Sequence, residues 1–218
     1  CTAVAGSHCE AGSSYGSSGA GTICPFGYFC VGGAQDKERC AAGTYSDSGA
    51  SSCLDCSAGT YSAAVSSTCA DCEAGKYSGA PASPTCAECN VDAGRFCPRR
   101  SVSPDGAVCT TGFYCPGGSS DREACPGGTY SADEGATSNS TCSECIAGKF
   151  ASEGSAECTK CGPGTISSAL GARTCVQCEP GKFSVSAGSV SCTSCPAGKT
   201  SVSGSVSEAD CNIDSDST

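Results

Sequence analysis

The sequence predicts a small disulfide-rich repeat array of short β-hairpins and loops, with almost no helix and an elongated, ladder-like form. Cysteine accounts for 24 of the 218 residues, a density typical of disulfide scaffolds. Leu, Ile, Val and Phe together account for only 23 residues, and Met and Trp are absent. A chain this poor in apolar residues cannot fold around one hydrophobic core. The cysteines, which lie in a recurring motif, must therefore supply the missing stability.

The motif begins with Cys, two residues, Gly, one further residue, usually an aromatic and usually Ser. It ends at a closing Cys 13 to 17 residues after the first. The opening cysteines are Cys40, Cys56, Cys72, Cys125, Cys145, Cys161, Cys178 and Cys195, and the closing cysteines are Cys53, Cys69, Cys86, Cys142, Cys158, Cys175, Cys192 and Cys211. Within each array, a closing Cys, two residues and the next opening Cys form a CxxC. We name each two-Cys module after its opening cysteine.

The other eight cysteines form two related four-Cys modules. They are Cys1, Cys9, Cys24 and Cys30 in the first module, and Cys89, Cys97, Cys109 and Cys115 in the second. The predicted domains are therefore a four-Cys module (1–39), three two-Cys repeats (40–88), a second four-Cys module (89–124), five two-Cys repeats (125–211) and a polar tail (212–218). No cysteine is left over. Repeats of this size form arrays in which each unit contacts mainly its neighbours.

Local sequence indicates extended structure and turns. Gly or Pro interrupts the chain every few residues, and no stretch has sustained helical periodicity. Thr and aromatic residues in the GTYS and GKFS segments favour short hairpins. We expect the glycine three residues after each opening cysteine to adopt a positive φ in a turn.

The motif C-x-x-G-[TK]-[YF]-S with its closing CxxC resembles the ephrin-receptor-like cysteine-rich repeat, which is abundant in surface proteins of algae and protists. The likeness extends from Cys24 to Cys211, and Ile166 and Thr200 depart from it by replacing the aromatic. The motif is more distantly similar to the first half of a tumour-necrosis-factor-receptor module. The resemblance implies an extracellular chain of the kind found in flagellar hairs (mastigonemes) and other fibrils of unicellular eukaryotes.

The simplest disulfide connectivity pairs the opening and closing cysteine of each two-Cys module. Three pairings are possible in each four-Cys module. We favour crossed pairs, namely Cys1–Cys24 with Cys9–Cys30, and Cys89–Cys109 with Cys97–Cys115. Closing a loop of about 15 residues removes roughly 3 kcal/mol of unfolded-state entropy. We also expect the aromatic ring of each module to lie against a neighbouring disulfide.

Zinc binding is the main alternative use of the cysteines, because the CxxC pairs from Cys53 to Cys72 have a zinc-ribbon spacing. The pairs continue through several units, three occur in the first array, and the chain has one His, so we predict no metal and no cofactor. His8 precedes Cys9 as Phe96 precedes Cys97, which indicates a structural position. No catalytic motif is evident, and we expect no enzyme activity.

The net charge of −10 without a basic stripe argues against nucleic acid as a partner. No apolar run is long enough for a membrane span. The chain begins at Cys1, so we expect a mature form, a fragment or the ordered part of a longer chain. The tail from Asn212 echoes the start of a calcium loop, but Ser217 stands where Gly is needed, which favours a solvated linker.

Asn139-Ser140-Thr141 is the one N-glycosylation sequon, and Ser-rich runs such as Ser51-Ser52 are compatible with either O-glycans or simple solubility. Together these features predict an extracellular structural glycoprotein from the secretory pathway. We expect it to be a subunit of a cell-surface filament or coat that self-associates or binds other matrix or coat proteins. The alternative is the ligand-binding ectodomain of a surface receptor or adhesin.

Because no cysteine is left over, we expect all 24 to be oxidised. The intact mass should therefore not change after alkylation without reductant. After full reduction, alkylation should label every cysteine. Uptake of several alkyl groups by the unreduced protein, or co-purification of zinc, would contradict the disulfide scaffold.

Overall fold

A computed structural model of the chain describes residues 3–9, 21–33, 36–118 and 121–214. It contains two compact units. The first unit comprises Cys1–Asp92, Phe96–Ala107 and Gly117–Asp121, and the second comprises Ala93–Arg95, Val108–Pro116 and Arg122–Thr218. Cys1, Ser217 and the runs Ser13-Ser14, Ser17-Ser18 and Ser119-Ser120 lie outside the described residues.

The described residues form antiparallel two-stranded hairpins whose strands are all two residues long. The earlier hairpins are β1 (Ser7–His8) with β2 (Thr22–Ile23), β3 (Tyr28–Phe29) with β4 (Glu38–Arg39), β5 (Thr44–Tyr45) with β6 (Leu54–Asp55), β7 (Thr60–Tyr61) with β8 (Ala70–Asp71), β9 (Lys76–Tyr77) with β10 (Ala87–Glu88), and β11 (Arg95–Phe96) with β12 (Ala107–Val108). The later ones are β13 (Phe113–Tyr114) with β14 (Glu123–Ala124), β15 (Thr129–Tyr130) with β16 (Ser143–Glu144), β17 (Lys149–Phe150) with β18 (Thr159–Lys160), β19 (Thr165–Ile166) with β20 (Val176–Gln177), β21 (Lys182–Phe183) with β22 (Thr193–Ser194), and β23 (Lys199–Thr200) with β24 (Ile213–Asp214).

Helix is almost absent from the described residues, as the sequence predicts. It consists of the 3-10 turns Asn139–Thr141 and Glu208–Asp210. The polar tail begins differently from the prediction, because Ile213 and Asp214 form β24 and pair with Thr200 and Lys199.

In seven of the two-Cys modules, a tight turn precedes the first strand of the hairpin and the CxxC that follows supplies the second strand. In the Cys161 module, the Thr165 amide donates to the carbonyl of Gly162 at 3.1 Å, and Gly164 between them has a φ of 76°. Pro163 and Gly164 are the residues that a type II turn favours at its two central positions. β19 then pairs with β20, which is the pair of residues inside the CxxC that follows. The predicted hairpins and the predicted positive φ are thus confirmed here.

The structure pairs the opening and closing cysteine in every two-Cys module. These disulfides are Cys40–Cys53, Cys56–Cys69, Cys72–Cys86, Cys125–Cys142, Cys145–Cys158, Cys161–Cys175, Cys178–Cys192 and Cys195–Cys211. No described cysteine is free. Cys53, Cys56, Cys69 and Cys72, whose spacing also suits zinc, are therefore all committed to disulfides.

The crossed pairing expected for the second four-Cys module, Cys89–Cys109 with Cys97–Cys115, is wrong. The structure instead joins Cys89 to Cys97 and Cys109 to Cys115. The turn at Gly112, whose φ is 82°, reverses the chain between Cys109 and Cys115. It brings their Cα atoms to 5.9 Å, within the usual range for a disulfide.

The first four-Cys module corrects the prediction in the same way. Cys24 is bonded to Cys30, with their Cα atoms 5.9 Å apart across the turn at Gly27. This bond excludes both Cys1–Cys24 and Cys9–Cys30. Cys9 is also in a disulfide. The signal that sequence reasoning missed is that each pair brackets its own Gly turn.

In most two-Cys modules the buried interior consists mainly of sulfur and small polar groups. The opening cysteines Cys40, Cys56 and Cys161 are fully buried, whereas Leu54 in β6 is 54% exposed. The serine six residues after the opening cysteine is buried in most modules: Ser46, Ser62, Ser78, Ser131, Ser167, Ser184 and Ser201. The disulfide therefore takes the place that a cluster of large apolar side chains fills in ordinary domains.

The aromatic position contributes less than the disulfide to this interior. Tyr45, Tyr61 and Tyr130 are only partly buried, while Phe183 is 7% exposed. At one junction the ring lies as predicted, because Tyr77 packs against the buried cluster of Cys89, Val91 and Cys97.

Two buried serines at the same repeat position provide a matched test of their hydroxyl groups. The Ser62 hydroxyl donates to the Thr44 carbonyl at 2.9 Å, whereas the equally buried Ser184 hydroxyl has no partner. We expect Ser62→Ala to lower the local stability of its module by about 1 kcal/mol, and Ser184→Ala to have no destabilising effect. Hydrogen exchange of the amides that donate to these residues, those of Gly43 and Gly164, measures the two effects. Equal losses in both variants would contradict this assignment.

Candidate functional site

The one histidine of the chain, His8, lies in a structural position. His8 is 5% exposed in β1, matching Phe96, which is 5% exposed in β11, and its Nδ1 atom has no hydrogen-bond partner. His8 thus occupies the aromatic position that the sequence indicated. Across the described residues, no group of His, Cys, Asp or Glu is arranged to hold a metal ion.

The charged side chains that interact lie at the surface and act locally. The Asp71 carboxylate forms ion pairs with the Nε atoms of Arg99, at 3.1 Å, and Arg100, at 3.4 Å. The charge of the one adjacent basic pair is therefore partly neutralised. Backbone amides of Val206 and Ser207 donate to the Asp210 carboxylate at 2.8 and 2.9 Å, which lowers the pKa of Asp210 below its usual 3.8. A hydrogen bond to Glu123 raises the pKa of Tyr114. The Asp210 contacts stabilise the last turn above pH 3.8 and weaken as the pH falls below that value.

The surface that recurs throughout the chain is the face by which one module binds the next, and we call it the junction face. Between the Cys145 and Cys161 modules, the Gly148 amide donates to the Ser167 carbonyl at 2.8 Å and the Gly148 carbonyl accepts from the Cys161 amide at 2.9 Å. The Gly171 amide donates to the Cys145 carbonyl at 2.8 Å, and the Ala151 amide donates to the Ala172 carbonyl at 3.1 Å. Four backbone hydrogen bonds therefore join these two modules.

The junction face repeats because the glycine three residues after the opening cysteine recurs. Its amide donates to the next module in the same way throughout the described repeats, at Gly27, Gly43, Gly59, Gly75, Gly112, Gly128, Gly148, Gly164 and Gly181. Its carbonyl accepts from the next opening cysteine, as when the Cys56 amide donates to Gly43 at 2.9 Å. The side chains that flank these bonds vary between modules, but the backbone arrangement does not.

Most of these glycines also contact the second module along, which is a longer reach than the sequence indicated. A methyl group at Gly164 would overlap the carbonyl oxygen of Gly204 in the Cys195 module. The same overlap would occur between Gly148 and Gly188 in the Cys178 module. The backbone of the second module therefore occupies the space that a side chain would need. The expectation that modules contact mainly their immediate neighbours understates the coupling.

The residues that supply these second-neighbour carbonyls were missed by sequence reasoning. In the second array they are glycines, and Gly204 for example has a φ of 76°. Val65 and Ala82 of the first array and Arg100 of the second four-Cys module occupy this position with φ values of 63°, 55° and 64°. The sequence feature that could have revealed this position is a second glycine nine or ten residues after most opening cysteines. These glycines are Gly49, Gly135, Gly154, Gly171, Gly188 and Gly204.

Among the described residues, a groove and an exposed sequon are accessible to other molecules. A shallow groove of about 360 Å³ is lined by Ile166, Val176 and Val190 together with the polar ends of Gln177 and Lys182. Asn139 is exposed in its 3-10 turn within the Cys125–Cys142 loop, whose cysteines are 17 residues apart.

Comparison with known families identifies one segment of the chain. Residues 164–211 match the family model described as tyrosine-protein kinase ephrin type A/B receptor-like. The match confirms the predicted resemblance over this segment, and the disulfides of the other described modules fit a cysteine-rich repeat protein. No curated protein matches the chain.

This segment and the many disulfides together indicate an extracellular domain. The ephrin receptor-like cysteine-rich repeat is non-catalytic by nature. Of the helices in the described part of the chain, none has the length and apolarity to cross a membrane.

Two glycines in one turn provide a matched test of the second-neighbour contact. Gly164 has a φ of 76° and abuts Gly204, whereas Gly162 is exposed and a methyl group there would meet nothing within 4 Å. Gly164→Ala should destabilise the Cys161 module by about 1–3 kcal/mol through backbone strain alone. The overlap with Gly204 should destabilise the Cys195 module as well. Gly162→Ala should change little.

Faster hydrogen exchange at the Gly204 amide, which donates to the Cys178 carbonyl, would report the loss at a distance. If Gly164→Ala accelerated exchange only within its own module, the contact between second neighbours would be energetically unimportant.

Proposed function

We propose that the chain is an extracellular structural glycoprotein that serves as a subunit of a cell-surface filament or coat, similar to the proteins of mastigonemes. The observation that carries this proposal is the junction face, through which each module uses the same backbone groups to bind the next. Within the array this surface binds only the next module. It therefore holds successive modules in the same rigid arrangement.

The covalent framework supports a role that requires durability. Each opening cysteine in the middle of an array is fully buried, as Cys56 and Cys161 are, so one sulfur of each bridge is shielded, while the closing cysteine is partly exposed. Disulfides at this density form in the secretory pathway and persist outside the cell. The net charge of −10 keeps such a chain soluble until it assembles.

A glycan on Asn139 fits this role. Asn139 is exposed, lies outside the strands and belongs to a sequon, so an attached glycan would project from the module without breaking a hairpin. Asn139→Gln should remove one glycan mass from protein secreted by eukaryotic cells, whereas Asn212→Gln, outside any sequon, should not. An unchanged mass in Asn139→Gln would exclude N-glycosylation at this position.

A second candidate function is that of a ligand-binding ectodomain of a surface receptor or adhesin. The match of residues 164–211 to an ephrin type A/B receptor-like model favours it. The groove lined by Ile166, Val176 and Val190 offers an apolar surface beside the charge of Lys182. In this case the array would display the groove, and the junction face would serve only to hold the array together.

Negative-stain microscopy of the native protein, together with sedimentation velocity, distinguishes the two functions. A filament or coat subunit should form fibrils or sheets whose amount rises with protein concentration. A receptor ectodomain should remain as isolated particles at every concentration. Isolated particles from native, fully oxidised material would contradict the proposal of a filament or coat.

A further inference from the structure

A small groove lies between the Cys125 and Cys145 modules, within the second unit. It has a volume of about 210 Å³, and we call it the Tyr130 groove. Pockets for drug-sized ligands measure roughly 300–1,000 Å³, so this groove has room for a smaller group such as a single ring. Its lining consists of Tyr130, Glu144, Ile146, Lys149, Glu157 and Cys158.

The ring of Tyr130 is positioned by backbone contacts on two sides. Tyr130 pairs with Ser143 across the hairpin of β15 and β16, and it forms a parallel bridge to Ser155 of the Cys145 module. Tyr130 is only half-buried, and it lines the groove. A side chain on such a constrained backbone loses little conformational freedom when a ligand packs against it.

The polar side chains of the Tyr130 groove are not used by the fold. Glu144 and Glu157 are exposed, and Lys149 is half-buried. None of these three side chains forms an ion pair or a side-chain hydrogen bond with another described residue. Two carboxylates and one ammonium group beside the groove are therefore free to bind a ligand.

The larger groove of about 360 Å³ lies at the equivalent place of a later junction and differs in both respects. Ile166 occupies the position of Tyr130 there, so this groove has no aromatic ring. Lys182, the counterpart of Lys149, donates to the Glu179 carboxylate at 3.2 Å. The repeat therefore packs without an aromatic ring and without a free ammonium group at this place.

The two carboxylates are also peculiar to the Tyr130 groove. Glu144 is the second residue inside a CxxC, and Glu157 precedes a closing cysteine. Each of the other five junctions between two-Cys modules lacks a carboxylate at one or both of these positions. Asp71 is a carboxylate at the first position, but Arg99 and Arg100 already bind it. The fold thus forms repeatedly without this pair of free carboxylates.

We propose that the Tyr130 groove binds one pyranose ring of a glycan. The C–H groups on one face of a pyranose carry a partial positive charge, which suits the negative face of the Tyr130 ring. The sugar hydroxyl groups would donate to the carboxylates of Glu144 and Glu157 and accept from the Lys149 ammonium group. The charge of Lys149 also disfavours a cationic ligand. The inference does not rest on the proposed filament or coat function.

Two sources can supply such a ring. A glycan on Asn139 would start five residues before Glu144, in the loop that leads into β16. A glycan on a neighbouring molecule offers the same chemistry. Secreted wild-type protein and Asn139→Gln distinguish these sources in a titration with soluble sugar. Binding to Asn139→Gln alone would show that the chain's own glycan fills the groove, and binding to both would assign the groove to a glycan of another molecule.

Tyr130→Ile, made in the full-length Asn139→Gln chain, tests the site itself. Ile is the residue that the repeat already carries at Ile166, so the variant should fold and oxidise normally. The probes are neutral tetrasaccharides of glucose, N-acetylglucosamine, galactose and mannose, and saturation-transfer NMR measures their binding. At least one should bind the parent chain, and Tyr130→Ile should bind it about tenfold more weakly or not at all.

The matched control is Tyr61→Ile, which makes the same change beside Asp71, whose carboxylate is already bound by Arg99 and Arg100. This variant should bind the sugar as the parent does. Equal binding by Tyr130→Ile and the parent, or no binding of any of the four probes, would overturn the proposal.

A tetra-arginine peptide, titrated at low and high salt, covers the opposite case. Binding of this peptide in place of the sugars, with a steep loss of affinity as salt rises, would assign the groove to a cationic partner and overturn the glycan site. The affinity for a neutral sugar should change little with salt. These outcomes leave the filament or coat function untouched, because microscopy of the native protein decides it separately.

Discussion

The absence of a side chain three residues after each opening cysteine is the constraint on which the rest of the structure depends. At Gly164, the amide, the carbonyl and the empty side-chain position are all used at once by other modules. A positive φ of 76° aims the amide and the carbonyl, and the missing Cβ admits the Gly204 carbonyl. Any larger residue there would have to adopt a rare backbone conformation and displace a neighbouring chain segment.

The disulfides supply the stability that this arrangement needs in a chain with so few apolar residues. Cys161 is fully buried, and Ser167 beside it is buried too, so the interior of the module holds sulfur and hydroxyl groups. Polar groups in such a small interior must be hydrogen-bonded or they become a cost. The repeated junction bonds meet this requirement for the backbone, which explains why the backbone contacts recur while surface side chains such as Leu54 and Val176 do not.

Local features of the sequence were enough to predict much of this fold. The Gly turns, the short hairpins and the lack of helix follow from composition and spacing, because each is decided within a few residues. The crossed pairs in the four-Cys modules were wrong because cysteine order alone does not show that Gly27 and Gly112 fold the chain back between nearby cysteines. The contact between Gly164 and Gly204 could not be read locally, since it depends on how successive modules rotate.

The position of each disulfide also determines how the chain responds to tension. In the Cys40 module the bridge spans 5.7 Å between Cα atoms and bypasses the loop from Cys40 to Cys53. The covalent path then runs only through the CxxC to Cys56, adding about 10 Å when extended. Even if every hydrogen bond failed, the disulfide would prevent the loop from extending by the further length of about 40 Å that its residues could span. A two-Cys array therefore has a short, fixed contour length and resists stretching. The lengths and sequences of its loops can vary without changing that contour length.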